Sequence, residues 1–392
     1  MQISRVVTGQ VQIMTGLLPL GLILHILSWR GYNRGDRTIS VPLTVGHDGI
    51  SYGTVGIGTP PQYFKFFFDI TGCETLIPSE NCNPTQHPAC AGHNRYSCNK
   101  SKTCMNLDEE FHSKALGGLA VCMTVRETFT FSSVMVKNVV FCEAKEIVAP
   151  RMIDASFDGI IGLGCRKAEN ELPLLLESLH EIGAIDHLIY SVFFKRNFSG
   201  GEFILGGINP DKYHGIMTFT EAADETEWKF YATGITLGMH TVRHDSFVAL
   251  LNPGSHYLYG PKEDVDLIHA SLGCDLLKTY CYVNCSTVEE LPDLRIYVND
   301  IQLVLRGEDY IRRLDNFSGP ICMSTFVGKA KVQYWELGYP FLSSIYTVYD
   351  LEQNRIGLAQ ASTSAALAST RYLSELIPLE SLFLVIYLFV FN

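Results

Sequence analysis

The sequence predicts a mainly β protein built from two copies of one structural unit. Three observations carry that expectation. Short runs such as YGTVGIG, ETFTFSSVMV, GEFILGG and LRIYVND are rich in Val, Ile, Thr and aromatic residues and are bounded by Gly, Pro or Asn, as strands and hairpins require. Helical periodicity shows only briefly, in LPLLLESLHEIGAI, Leu172 to Ile185. An internal echo is the third: FFFDITG places Asp69 after an apolar run and before a turn, and FVALLNPGS does the same with Asn252, 183 residues later. An apolar element ending in glycine follows in each half, DGIIGLG and WELGYPF, with Gly162 and Gly338 separated by 176 residues.

Length and composition agree. A chain of 392 residues exceeds one ordinary core, so two domains of under about 200 residues each are the default. Apolar residues make up 47% and charged ones 18%, with 22 Phe and 19 Tyr, which excludes a disordered chain. A net charge of −11 with no basic stripe excludes a nucleic-acid partner.

Twelve cysteines, several in close pairs, point to disulfides in an oxidising compartment; there is no CxxC pair or finger-spaced His/Cys cluster to favour zinc. The sequons at Asn99, Asn197, Asn284 and Asn316 point to the same secretory route. Near the start, Arg5 precedes the apolar run Ile13 to Leu27, of signal-peptide length, so residues 1–28 are read as a signal and 29–50 as a short N-terminal segment. At the far end, the small-residue patch ASTSAALAST, a short spacer and LFLVIYLFVF, ten residues long, are ordered like a removable lipid-anchor signal. A plain apolar tail is the alternative for residues 362–392. An extracellular or secretory-pathway location follows, with cell-surface anchoring as the further expectation.

The stretches YGTVGIGTPPQYF, FFFDITGCETLIPS, FDGIIGLG, GGEFILGGINPDKYHG, YLYGP, LPDLRIYVND and YTVYDLEQNRIGLA, taken in order, resemble the pepsin-type aspartic proteases over roughly Ser51 to Ala361. The resemblance implies a bilobal fold, an N-terminal lobe over 51–218 and a C-terminal lobe over 219–361, with a peptide cleft between them. It also implies one catalytic aspartate from each lobe, a hairpin flap, no cofactor or metal, and a monomer that takes a peptide or protein ligand. Family disulfides would fall at Cys82 with Cys90 and Cys285 with Cys322, and Cys274 with Cys281 would close a local hairpin. Cys73, Cys98, Cys104, Cys122, Cys142 and Cys165 remain open to fifteen pairings.

In that family two close carboxylates share one proton, activate a water and protonate the peptide carbonyl. Each lobe supplies Asp-Thr-Gly followed by Ser or Thr. Here the first copy reads Asp69-Ile70-Thr71-Gly72 and the second Asn252-Pro253-Gly254-Ser255. Asn252 has the shape of the missing aspartate but cannot take or give the shared proton, and its amide is expected to donate to Asp69. Ile70 and Pro253 replace the two bracing threonines. Thr71 replaces a glycine that lets a backbone N–H reach the carboxylate. In the flap, Phe111 falls at the tyrosine position, keeping the ring and losing the hydroxyl. Only about twenty residues separate Ser28 from Ile50, short for a family prosegment.

These departures, together with DITGC and the extra cysteines, are similar to the inactive aspartic-protease-like allergen of cockroaches. They imply a peptide-binding pseudoprotease; the alternative is an aspartic endopeptidase with an atypical site. His240, His244 and Asp245 resemble a metal cluster on paper but fall in an expected hairpin. His256 is near enough in sequence to approach the cleft floor, and Asp158 and Asp350 match structural acids.

Overall fold

The computed structural model describes residues 36–362, apart from 115–116, 165–173, 197–198, 225–226, 275–279 and 317–318. The expected signal and lipid-anchor segments, Asn197 and Cys165 lie outside the described residues.

A sheet of 13 strands runs through the described structure. At one end lie Tyr213–Glu221, Arg355–Ala361, Ile345–Asp350, Ile189–Phe194 and Gly201–Leu205. The middle holds Ile39–Val45, Ser51–Ile57 and Gln62–Asp69, followed by Gly159–Gly162 and Leu76–Pro78. The long hairpin strands Val134–Val148, Leu119–Phe131 and Met105–Ser113 form the other end. The first and last strands of the described chain thus share one sheet. Residues from 229 to 337 form three smaller sheets of five, four and three strands.

Burial patterns follow the sequence. Ile39–Val45 alternates buried and exposed residues because one of its faces meets solvent. Ile189–Phe194 and Ile345–Asp350 are buried at every position; most of their residues are apolar or aromatic, and the polar Ser191 and Asp350 have hydrogen-bond partners. Rings join these strands: Phe68 stacks on Phe203 at 4.7 Å, Phe203 on Tyr190 at 5.3 Å, and Tyr190 on Tyr349 at 4.6 Å. Such stacks add about 0.5–1.5 kcal/mol each beyond area burial, so the strand that ends at Asp69 has a stiff support. The helix foreseen within Leu172 to Ile185 is Leu175–Glu181, and Gly183, at φ 69°, turns the chain out of it.

The internal echo is structural. Gln62–Asp69 pairs in parallel with Gly159–Gly162, with Asp69 opposite Gly162. Phe247–Leu251 pairs in parallel with Trp335–Leu337, with Leu251 opposite Leu337, just before Asn252 and Gly338. Both glycines are demanded by close backbone approach. A Cβ on Gly162 would sit 2.2 Å from the Cys73 carbonyl carbon, and one on Gly338 would sit 2.5 Å from the Ser255 carbonyl oxygen.

Five disulfides are described. Cys82–Cys90 and Cys285–Cys322 pair as the resemblance implied, and Cys274–Cys281 closes the short loop expected of it. The open set resolves into Cys98–Cys104 and Cys122–Cys142, and Cys73 is also bridged. This many disulfides fits an oxidising compartment. Asn99 and Asn284 are exposed, and Asn316 ends the strand Ile311–Asn316. No helix among the described residues is long and apolar enough to cross a membrane.

Candidate active site

Asp69 is the last residue of its strand and is only 5% exposed. Its Oδ1 accepts from the Thr71 backbone N–H at 2.8 Å and from the Thr71 hydroxyl at 2.6 Å. This corrects the expectation that Thr71 would keep the N–H from the carboxylate. The β-branched side chain is accommodated because its hydroxyl turns onto the same oxygen. Gly72 supplies the remaining space, since a Cβ there would lie 2.7 Å from Asp69 Oδ2. The loop is anchored behind by Leu163 N–H on the Asp69 carbonyl and Gly164 N–H on the Gly72 carbonyl, both at 2.8 Å.

The second loop is built on the same plan and wired differently. Asn252 N–H donates to the Leu337 carbonyl at 3.0 Å, and Tyr339 N–H to the Ser255 carbonyl at 2.7 Å. The Asn252 amide oxygen accepts from Gly254 N–H at 2.9 Å, while its Nδ2 donates to Glu336 Oε1 at 2.7 Å. The expected donation to Asp69 is thus replaced by one to Glu336. The other oxygen of Glu336 receives Lys329 Nζ at 3.0 Å, and that ammonium lies 3.7 Å from the centre of the Tyr259 ring. Gly254 N–H can be met only by the amide oxygen, which turns the amide N–H toward the Glu336 carboxylate. Ser255 is buried and turns its hydroxyl to the Tyr257 carbonyl at 3.2 Å.

The loops approach each other through apolar atoms. Ile70 and Pro253 line one cavity of about 10 Å³, together with Phe67, Phe68 and Phe203. A Cβ on Gly254 would lie 3.9 Å from the Phe67 ring. Apolar side chains of both loops therefore line this cavity where the family motif would place threonine hydroxyls.

Phe111 lies in Met105–Ser113, opposite Cys122, and packs half-buried against the cluster that includes Phe67 and Leu76. The Cys122–Cys142 bridge ties this hairpin to the neighbouring strand. Gly118 fits because a Cβ there would meet the Val148 carbonyl oxygen at 2.4 Å.

The other candidates are structural. His256 Nε2 is 3.0 Å from the Asp48 carbonyl, and the ring fills the space beside Gly49. It serves that turn. His240 lies in a strand paired with Gly234–Leu237, and exposed His244 sits 3.5 Å from Asp245. Asp158 accepts from the backbones of Lys65 and Asn94, and Asp350 pairs with Arg355 at 2.7 Å.

Sequence reasoning missed Glu336, Lys329 and Tyr259. The signal was present in the echo, since WELG carries a charge where its counterpart GIIG is wholly apolar.

Residues 51–361 match the family model described as eukaryotic aspartyl protease. Among curated proteins the chain is similar to renin of Rattus norvegicus, 29% identical with 83% of this chain and 82% of the relative covered. It is 30% identical to cathepsin D of Bos taurus, covering 79% and 84%, and 28% identical to cathepsin D of Dictyostelium discoideum, covering 82% and 86%. With that match laid over two parallel-strand loops, one ending in a buried aspartate and the other in an asparagine, the chain belongs to the eukaryotic aspartyl protease family.

Proposed function

We propose that this protein is a secreted or membrane-anchored member of the family that binds an extended peptide without hydrolysing it. The observation that carries the reading is the side chain at position 252: an amide with no acidic proton, held by Gly254 and Glu336. General acid–base work on a peptide bond needs a second group that gives and takes a proton at that point, and an amide does neither. Asp69 alone leaves the coupled unit incomplete, and losing one member of such a unit costs several orders of magnitude in rate. The scaffold around it retains what peptide capture uses, with strands, an aromatic hairpin and a buried carboxylate.

The expected signal, glycans and C-terminal anchor belong to the same proposal, as does the monomeric state. The test is incubation of the purified protein with a mixed peptide library from about pH 2 to 7, followed by recovery of bound peptides. Saturable binding with intact peptides supports the reading. Cleavage that disappears in Asp69→Ala would instead establish an aspartic endopeptidase with an atypical site.

A further inference from the structure

We propose that Glu336 is the positioning residue that commits the second loop to asparagine, so that restoring an aspartate at position 252 does not rebuild a proton-sharing pair with Asp69. The inference deepens the function proposed above and rests on it. Both ends of the Asn252 side chain are assigned. Gly254 N–H occupies the amide oxygen at 2.9 Å, and Glu336 Oε1 takes the amide N–H at 2.7 Å. Glu336 is held in place because Lys329, two strands away in the same sheet, binds its other oxygen and is itself seated on Tyr259 of the strand between them. An aspartate at 252 keeps the Gly254 bond with one oxygen and brings the other against the Glu336 carboxylate. Two carboxylates at that separation compete for one proton, and the proton is then shared with Glu336. The charged and titratable groups around this pair are Lys329, Tyr259 and Tyr257, with Asp264 behind Trp335 and Asp69 on the opposing loop.

Thermal unfolding of wild type, Asn252→Asp, Glu336→Gln and the double variant from about pH 4 to 7.5 tests this. Like charges raise the folded pKa of the new pair, so the variant's stability relative to wild type falls as pH rises through the carboxylate range. A loss of at least about 3 °C between the two ends of that range is expected in Asn252→Asp. Glu336→Gln should remove it in the double variant, because glutamine donates to the new carboxylate. A pH-independent offset, an offset that Glu336→Gln leaves in place, or peptide cleavage by the single Asn252→Asp variant would overturn the proposal. If Asn252→Asp does not fold, exchange of the Asn252 side-chain amide protons is read by NMR. Faster exchange in Glu336→Leu than in wild type supports the lock, and equal rates overturn it. Cleavage by wild type would overturn the proposed function and leave these offsets unchanged, so the two failures are separable.

Discussion

The Asp69 loop satisfies its side chain from within, through Thr71 and the space left by Gly72, whereas the Asn252 loop reaches outside itself to Glu336 on a strand more than 80 residues away. Both loops rest on the same backbone device, a parallel neighbour and a glycine with no room for a side chain. The architecture of the duplicated unit and the chemistry it presents are therefore separable. The tight packing at Gly162 and Gly338 is the same in both halves, while the hydrogen-bond partners at the loop tips differ.

The sharpest way to break this comparison is to fill the glycine in each loop. Gly72→Ala pushes a methyl to 2.7 Å from Asp69 Oδ2, while Gly254→Ala places one 3.3 Å from the Asn252 amide oxygen. The first is expected to cost about 3 kcal/mol and the second about 1 kcal/mol, read as the difference in urea midpoints. Equal losses would mean that the two loops are equally tight.

A smaller effect tests self-sufficiency. Thr71→Val removes the hydroxyl donor to Asp69 Oδ1 and keeps the backbone donor, so a loss of about 2 kcal/mol at neutral pH is expected. The same urea titration reads it, and no loss would show that the backbone N–H alone holds the carboxylate.

The smallest effect concerns the walls of the two halves. In the first, burial pushes the Glu143 carboxyl above its ordinary range, with the Ser79 hydroxyl opposing. In the second, Asp264 has an arginine, Arg243, and the Trp335 indole N–H as partners. A folded pKa raised by burial means that native stability is fully present below the normal glutamate range and is lost as pH rises through the folded value. Glu143→Gln should therefore raise the melting temperature slightly at pH 7 and leave it unchanged near about pH 3.5. A gain of the same size at both pH values would place the effect elsewhere.

The fold was legible because the strand runs, the aromatic-rich core segments and the echo of Asp69 in Asn252 are local patterns. Of the three expected disulfides, Cys274–Cys281 was legible from its short spacing, whereas the family resemblance supplied the partners of Cys82–Cys90 and Cys285–Cys322. The wiring of the second loop was not legible. Asn252 and Glu336 are joined only by the parallel pairing of Phe247–Leu251 with Trp335–Leu337, and strand register over such a distance leaves no periodic trace. Thr71 was misread for a related reason. Residue type predicted steric exclusion, but the side chain's own hydroxyl had an acceptor two residues back. His256 shows the converse, since proximity in sequence to Asn252 did not bring it to the carboxylate, and its ring is engaged by the Asp48–Gly49 turn.

The central claim is that a scaffold of this family retains peptide capture while its second loop, ending in an amide, does not support hydrolysis. It is tested most directly by exposing the wild-type protein and Asp69→Ala to one mixed peptide library across about pH 2 to 7 and scoring new termini by mass spectrometry. The account predicts the same absence of new termini for both proteins, with peptides retained by the wild type. New termini produced by the wild type and lost in Asp69→Ala would contradict it, because Asp69 would then be working without a second aspartate.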